Sequence, residues 1–138
     1  MIKVSLSRIY SFSAAHRLHS PRLSEGENRA VYDKCNNYYG HGHDYKVEVT
    51  VSGEPDEITG MILPLPELDG AVAEILNQLE HKHLNHEIPY FKEHITTGEV
   101  IIRFLWAEIG KRLPTGMLTR LKLWETNNNY FEIEEVKE

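Results

Sequence analysis

The sequence contains one cysteine, no long hydrophobic run and no cluster of basic residues, and each of these scarcities excludes a class of protein. A lone Cys35 cannot form a disulfide within the chain, which favours a reducing compartment, so we expect a cytoplasmic protein. The longest apolar stretches are a few residues long, far short of the roughly 18 needed to cross a bilayer. We therefore expect no membrane partner.

The charge balance argues against a nucleic-acid partner. There are 15 basic residues against 21 acidic ones, which gives a net charge of −6. Basic residues are scattered along the chain rather than interleaved with aromatics, as they are in nucleic-acid-binding surfaces. What is present is ordinary globular composition, because the 138 residues are 41% hydrophobic and 26% charged. We expect a single domain that spans residues 1–138.

Hydrophobic periodicity predicts four strands. Apolar residues alternate with serines over residues 4–12, and the same parity continued along the strand reaches His16. A second alternating segment covers residues 43–51. Residues 118–125 and 130–136 have the pattern of a closing hairpin around an asparagine-rich turn. The polar stretch 17–37 is interpreted as a long functional loop.

Two helices are predicted between the strand pairs. The first begins near Pro66, carries an apolar stripe and ends near Leu84. The second follows a T-x-x-E sequence, which assigns Thr96 and Glu99 to a capping box, and ends before Pro114. The resulting order, β-β-α-α-β-β, is typical of an α+β fold in which an antiparallel sheet has both helices packed on one face.

The sequence H41-G-H43 raises the question of a metal site. On a strand, residues i and i+2 point to the same face, so His41 and His43 are able to bind one ion. Their face is the apolar one, where an unpaired imidazole is costly, and strand parity brings His16 to the same side of the first strand. Three histidines leave the fourth position of a zinc ion open, as in catalytic sites.

Two alternatives to a catalytic zinc site stay open on spacing alone. Cys35 would close the coordination as a fourth ligand and make the site purely structural. H-x-H is also a weak motif, and the segment would then be a surface turn with ordinary histidines.

The remaining histidines give weaker signals. His81 and His83 repeat the H-x-H spacing, but on a helix they are about 200° apart and cannot share an ion. His83 and His86 have the i,i+3 spacing that permits it. Solvated or hydrogen-bonded surface histidine is the simpler interpretation of His19, His83, His86 and His94.

Two acidic residues and the thiol are further candidates, each with a plain structural alternative. Parity places the Glu125 carboxylate on the buried face, either to grip N–H groups of a heterocyclic ligand or because the strand has frayed. The adjacent Glu80 and His81 would move protons, or simply end a helix. Cys35 would be a reactive thiolate near the cation, or an inert buried thiol.

Taken together, these motifs resemble a known family. The resemblance covers residues 12–128 and is to 6-pyruvoyl-tetrahydropterin synthase. The two most specific segments are F-S-A-A-H, ending at His16, and C-N-N-x-x-G-H-G-H, from Cys35 to His43. The others are G60-M61, E80-H81, P89-Y-F, T97-x-E99 and W124-E125-T126.

The resemblance implies a fold, an assembly and a metal. The fold is the tunnelling fold, or T-fold, in which three subunits form a barrel and two barrels stack into a homohexamer with active sites between subunits. His16, His41 and His43 are implied as ligands of Zn²⁺. The implied substrate is 7,8-dihydroneopterin triphosphate, from which triphosphate is eliminated while protons move between ring and side chain.

The resemblance also implies roles for the other candidates. Cys35 is the general base, and His81 with its preceding acid, Glu80, forms the proton relay. Glu125 anchors the pterin ring. Thr97 and Glu99 lie nearby as further substrate-binding residues.

Rival products and activities follow from the details. A related branch that makes 6-carboxy-tetrahydropterin for queuosine typically has C-x3-H-G-H, whereas this chain has C-x5-H-G-H, similar to the pyruvoyl branch. The chain departs from the usual family residues at Glu80, Gly98, Val100 and Pro64. Those departures keep a second alternative open, a pterin-binding paralogue without catalytic activity.

Overall fold

The computed structural model describes residues 2–135 and has the α+β architecture that the periodicity predicts. Within these residues the sheet has five strands in the order β3-β1-β2-β4-β5. Their bounds are β1 Val4–His16, β2 His41–Gly53, β3 Lys82–His83, β4 Leu118–Thr126 and β5 Asn129–Glu134. The last predicted strand position, residue 136, lies outside the described part of the chain.

The long strands pair antiparallel, as expected, but the short β3 pairs in parallel with the end of β1 and makes the sheet mixed. The helices are α1 Glu25–Tyr32, α2 Leu65–Leu79, α3 Leu84–Glu87 and α4 Gly98–Gly110, with 3₁₀ turns at Asp33–Asn36 and Pro89–Lys92. The four predicted strands and two long helices therefore occur in the predicted order, with shorter elements between them. Across residues 2–135, no helix is long and apolar enough to span a bilayer.

Three local predictions are wrong. The polar stretch 17–37 is not an open loop, because Ser24 and Glu27 form a reciprocal capping box that starts α1. Helix α2 ends at Leu79 rather than near Leu84, since the chain turns there to pair with β1. The cap of α4 is Thr97, whose hydroxyl accepts a hydrogen bond from the Val100 amide.

The core lies between one face of the sheet and the two long helices. Alternate residues of β2, from Tyr45 to Val51, are fully buried, and β4 contributes Leu121 and Leu123 to the same face. Helices α2 and α4 cover that face with apolar residues, among them Leu68, Val72, Ile75, Leu79, Ile101, Leu105 and Ile109. Burial of this shared face is the main force that fixes the register of the sheet.

Candidate metal centre

The register of β1 and β2 brings three histidines together at one end of the sheet. His16 is paired with His41, and Ala14 is paired with His43, so the imidazoles of both strands lie on the core-facing side. The ring centroids are 4.7 Å apart for His16 and His41, 5.1 Å for His16 and His43, and 4.7 Å for His41 and His43. One ring nitrogen from each lies within 4.8 Å of the others.

Four of the six ring nitrogens of this triad are buried and lack hydrogen-bond partners, which suits metal ligands. Nε2 of His16, both ring nitrogens of His41 and Nε2 of His43 have no partner among the described residues. An unpaired buried polar atom is costly, and a divalent cation removes that cost. Three imidazoles with one position open match a catalytic zinc site in donor type and number.

Hydrogen bonding sets the tautomer of His16. Its Nδ1 lies 2.7 Å from the Thr96 carbonyl oxygen, to which it donates, so the Nε2 lone pair faces the other two histidines. His16 is fully buried, and this burial lowers its pKa to about 4 despite the bond to Thr96. Burial also lowers the pKa values of His41 and His43. All three imidazoles are neutral at neutral pH, as metal ligation requires.

A polar clamp holds Thr96 beside the end of β1. The amide of Asn85 accepts from the Arg17 backbone N–H at 2.8 Å and donates to the Arg17 carbonyl at 2.9 Å. The Thr96 hydroxyl contacts the same carbonyl at 3.2 Å and the Asn85 side-chain oxygen at 3.3 Å. This clamp joins α3, the end of β1 and the start of α4, and it fixes the carbonyl that orients His16.

Cys35 lies near the histidines but outside their cluster. Its 3₁₀ turn is held to the residues after β1, because the Leu18 amide donates to the Cys35 carbonyl and the Asn36 side chain donates to the Leu18 carbonyl. Burial, then the charges of Glu125 and Asp33, raise the pKa of the thiol. The sulfur is not among the atoms within 4.8 Å of one another. This geometry disfavours the closed structural site with Cys35 as fourth ligand.

Glu125 reaches the same site through an irregularity in the sheet. The pairing of β4 with β5 shifts between Trp124 and Thr126, so Glu125 sits at a bulge, a feature that re-aims side chains near active sites. Its carboxylate is half-buried and lies 3.9 Å from Nε2 of His16. Because His16 is neutral, this contact is not an ion pair. Burial raises the Glu125 pKa, while His41 opposes the shift.

Tyr45 is a neighbour of the site that the sequence placed only in the core. It stacks on Phe12 at 4.7 Å, and its ring lies 5.5 Å from that of His43. The hydroxyl is buried without a partner, and burial followed by the Glu125 and Cys35 charges raises its pKa. The strand pattern did not distinguish Tyr45 from other core residues. Its partnerless hydroxyl is visible only in the structure.

The Glu80 and His81 pair lies at the edge of the sheet rather than beside Cys35. Oε1 of Glu80 accepts from the Ser13 backbone N–H at 3.0 Å, and the His81 amide donates to the Ser13 carbonyl at 2.7 Å. The imidazole is 82% exposed and lies 3.3 Å from the Glu80 carboxylate. His81 has a φ of 58°, which is strained for a residue with a side chain. No hydrogen bond or ion pair among residues 2–135 joins this pair to Cys35.

The start of α4 holds the remaining predicted binding residues. Thr97 is occupied as the helix cap, and Glu99 is exposed but close enough to raise the Glu125 pKa. A Cβ on Gly98 would lie 2.0 Å from the Phe131 ring, so the Phe131 ring fills the space that a side chain at position 98 would need. Sequence comparison with the family pattern marked Gly98 as a departure but gave no reason for it.

Comparison with known proteins places the chain among pterin enzymes. A model of the 6-pyruvoyl tetrahydropterin synthase family matches residues 5–136. A Poecilia reticulata 6-pyruvoyl tetrahydrobiopterin synthase is 46% identical over 90% of this chain and 85% of that protein. The human protein of the same name is 45% identical over 92% of this chain and 88% of its own length. The structure of a Caenorhabditis elegans 6-pyruvoyl tetrahydropterin synthase has a TM-score of 0.94 and 34% identity, covering 99% of this chain and 98% of that one.

Proposed function

The chain belongs to the 6-pyruvoyl tetrahydropterin synthase family of triphosphate-eliminating lyases, and we propose that it converts 7,8-dihydroneopterin triphosphate to 6-pyruvoyl-tetrahydropterin with Zn²⁺ as cofactor. One observation carries this proposal. Three neutral imidazoles, one fully buried and two partly buried, converge with unpartnered nitrogens beside a thiol and a carboxylate. Tetrahydropterin biosynthesis is the pathway to which the named relatives belong.

His16, His41 and His43 would hold the metal, since their nitrogens have the donor type and the spacing that zinc requires. When bound, zinc supplies Lewis-acid polarisation of the oxygens on the substrate side chain. The Thr96 carbonyl keeps His16 in the tautomer that faces the metal. The chain's own residues then perform the remaining steps.

Proton transfer is assigned to Cys35 and to the pair of Glu80 and His81. The Cys35 sulfur removes a proton from a side-chain carbon of the substrate, and a nearby cation offsets the burial that raises the thiol pKa. His81 gives and takes a proton while the Glu80 carboxylate, 3.3 Å away, orients its ring and stabilises its charge. The extra methylene of Glu80, compared with the usual Asp, is accommodated by its bond to Ser13.

The pterin ring is assigned to Glu125, with Thr97 and Glu99 nearby. A half-buried carboxylate near the metal is suited to accept from two adjacent ring N–H groups. Glu99 shares this region, since its charge acts on the Glu125 pKa. A hydrogen bond from the Asn129 side chain opposes the burial that raises the Glu125 pKa, and the ring N–H groups would add further donors to the carboxylate.

An assembly in which active sites lie between subunits explains why the relay is turned away from Cys35. His81 is 82% exposed at the edge of β1, so the histidine of one subunit is free to face the thiol of another. We propose the homohexamer of two stacked trimers for this chain, acting in the cytoplasm. The substrate would then contact residues from more than one copy.

The experiment is an assay of products. The zinc-loaded protein is incubated with 7,8-dihydroneopterin triphosphate, and the pterins are identified by mass spectrometry while released triphosphate is measured. We expect 6-pyruvoyl-tetrahydropterin and triphosphate in equal amounts. Recovery of only 6-carboxy-tetrahydropterin would assign the chain to the queuosine branch. Binding without turnover, unchanged by Cys35→Ala, would identify a non-catalytic paralogue.

Retention of metal separates the structural alternative from the catalytic one. Cys35→Ala keeps the zinc content of the purified protein if the thiol is a base, because three histidines remain. A large loss of zinc in this variant would mean that Cys35 is a ligand. His41→Ala is the control, and it should lose zinc in either case.

A further inference from the structure

Four histidines that the proposed chemistry does not use line one cavity. This cavity of about 830 Å³ lies between the segment after β1 and the segment around α3. Aromatic and charged side chains, including Tyr38, Phe91 and Lys92, complete its wall. The histidines in it are His19, His83, His86 and His94. Each has a different setting, and two of them are in direct contact.

His83 and His86 lie ring against ring. Their centroids are 4.2 Å apart with 33° between the ring planes, a closer approach than any pair in the triad. The helix prediction for His83 is wrong, because it is the residue just before α3 while His86 is in that helix. The i,i+3 spacing nevertheless brings the two side chains to one side. Adjacent coordination positions on one ion place ligand nitrogens about 3 Å apart, within reach of this pair.

His83 has an unpartnered ring nitrogen and a fixed position, two features expected of a metal ligand without its metal. Its Nδ1 is buried with no hydrogen bond, as are the orphaned nitrogens of the triad. Its Nε2 packs against Gly40, where a Cβ would lie 2.9 Å away, and the φ of 78° at Gly40 also requires glycine. The His83 backbone N–H donates to the Glu87 carboxylate at 2.7 Å, which ties the backbone of His83 to α3.

The surroundings suit a cation that reaches the pair from solvent. His86 is exposed, so an ion has access, and the Glu87 carboxylate adds a negative charge close to His83. Burial and the neighbouring His86 lower the His83 pKa, so its imidazole is neutral and available. His94 differs, because its Nδ1 is bonded to the Tyr90 carbonyl and its ring stacks on Tyr90 at 4.0 Å.

We propose that His83 and His86 form a second metal site, separate from His16, His41 and His43, for a divalent transition-metal ion that prefers imidazole ligands, such as Zn²⁺, Ni²⁺ or Cu²⁺. Two protein ligands hold such an ion less tightly than three, and water completes the coordination. None of the residues in this second site has a role in the proposed reaction, so the two proposals are tested separately.

The test counts metal-binding events with Zn²⁺ alone. Protein stripped with a chelator is titrated with Zn²⁺ by calorimetry, and we expect a tight event and a weaker one, each of about one equivalent per chain. His86→Phe keeps an aromatic ring against His83 but removes the nitrogen, so it should abolish only the weaker event. His41→Ala should abolish the tight event and leave the weaker one.

The matched control is His94→Phe, the same substitution in the same cavity at a histidine that stacks on Tyr90. It should leave both events unchanged. The proposal is overturned if the wild type shows no second event, if His86→Phe retains it, or if His94→Phe removes it equally. In wild-type protein that holds one equivalent of Zn²⁺ in the tighter site, added Ni²⁺ should broaden the NMR signals of His83 and His86 before that of His94. Uniform broadening of all surface histidines would also overturn the site.

Discussion

The two halves of the proposed catalytic machinery are built in opposite ways. The metal half, His16, His41 and His43, lies on the core-facing side of the sheet, where His16 has no solvent exposure and the other two are partly buried. The relay half, Glu80 and His81, stands on the sheet edge with the imidazole 82% exposed. The three imidazoles of the metal half meet within one chain, whereas the His81 imidazole of the relay half faces outward from the sheet edge.

This contrast indicates what each half needs. A metal site requires fixed distances, which buried strands in a single register supply. A proton relay needs only to meet the substrate when the site is assembled, so it can be carried on a neighbouring subunit. The strained φ of 58° at His81 is consistent with a side chain that is held outward for such a purpose.

The largest expected effect is complementation between inactive variants. Cys35→Ala and His81→Ala should each lower turnover by about 10²–10⁴-fold, since each removes a proposed proton-transfer group. Co-assembled in equal amounts, the two variants should recover about a quarter of wild-type activity, because a symmetric oligomer then contains some intact sites. Turnover is measured on mixtures that have been unfolded and refolded together. A mixture no more active than its components would mean that Cys35 and His81 of one active site come from the same chain, which contradicts a relay supplied by a neighbouring subunit.

The metal half should be sensitive to acid when it holds no metal. Native His16 titrates at a pKa of about 4, whereas the unfolded state titrates near 6.5. As pH falls from about 6.5 to about 4, His16 binds a proton in the unfolded state but not in the native state. The free energy of unfolding therefore falls, by up to ~3 kcal/mol for His16 alone. Burial shifts His41 and His43 in the same direction.

Urea denaturation of chelator-treated protein between pH 7.5 and pH 4.5 measures this loss. The zinc-loaded protein should resist acid to a lower pH, because protons must compete with the metal. Asn77→Ala, which changes an exposed residue of α2 without a titratable group, serves as the control, and its pH dependence should match that of the wild type. A free energy of unfolding that stays flat over this range in the metal-free protein would mean that the triad is not buried as described.

Removal of the clamp should weaken the metal half without touching a ligand. Asn85→Ala removes both bonds to Arg17 and one contact of Thr96, whose carbonyl orients His16. Loss of an outer partner of this kind lowers metal affinity by about 10–100-fold. Competition with a chromophoric chelator measures the affinity. Asn77→Ala, at an exposed position of α2, should have no effect, and equal affinity in both variants would exclude a positioning role for Asn85.

The division also explains how much the sequence could predict. Strand alternation was sufficient to place His41 and His43 on the buried face, and continued parity placed His16 with them, because period two leaves few alternatives. The pairing of His16 with His41 was not predicted, and only the observed register of β1 against β2 shows it. The family resemblance carried the roles of these residues, which spacing alone left open.

The parts that the sequence could not predict depend on contacts between distant segments. Thr96 was assigned to a helix cap, yet it is buried beside Asn85 and beside Arg17, which is 79 residues away in the chain. The short strand at His83 forms only because β1 offers a free edge there. The capping box of Ser24 and Glu27 was present in the sequence and shows that the polar composition of a segment does not exclude a helix.

The smallest expected effect tests whether the rigid half extends to the first turn of α4. A Cβ on Gly98 would lie 2.0 Å from Cε2 of Phe131, so Gly98→Ala should lower the free energy of unfolding by about 1–3 kcal/mol through overpacking. Phe131→Val makes room, and in that background Gly98→Ala should be neutral or stabilising by up to ~1 kcal/mol, as alanine favours helix. Urea denaturation of the four proteins measures the coupling.

Gly70 provides the matched control, because a Cβ there meets nothing within 4 Å and the residue lies in α2. Gly70→Ala should therefore stabilise slightly in both the wild-type and the Phe131→Val background. If Gly98→Ala behaves like Gly70→Ala, then the Phe131 ring moves aside at little energetic cost and the start of α4 is not rigidly packed. In that case the rigid metal half ends at the histidines. The proposed binding residues Thr97 and Glu99 would then belong with the outward-facing half and be set in place by a neighbouring subunit or by the substrate.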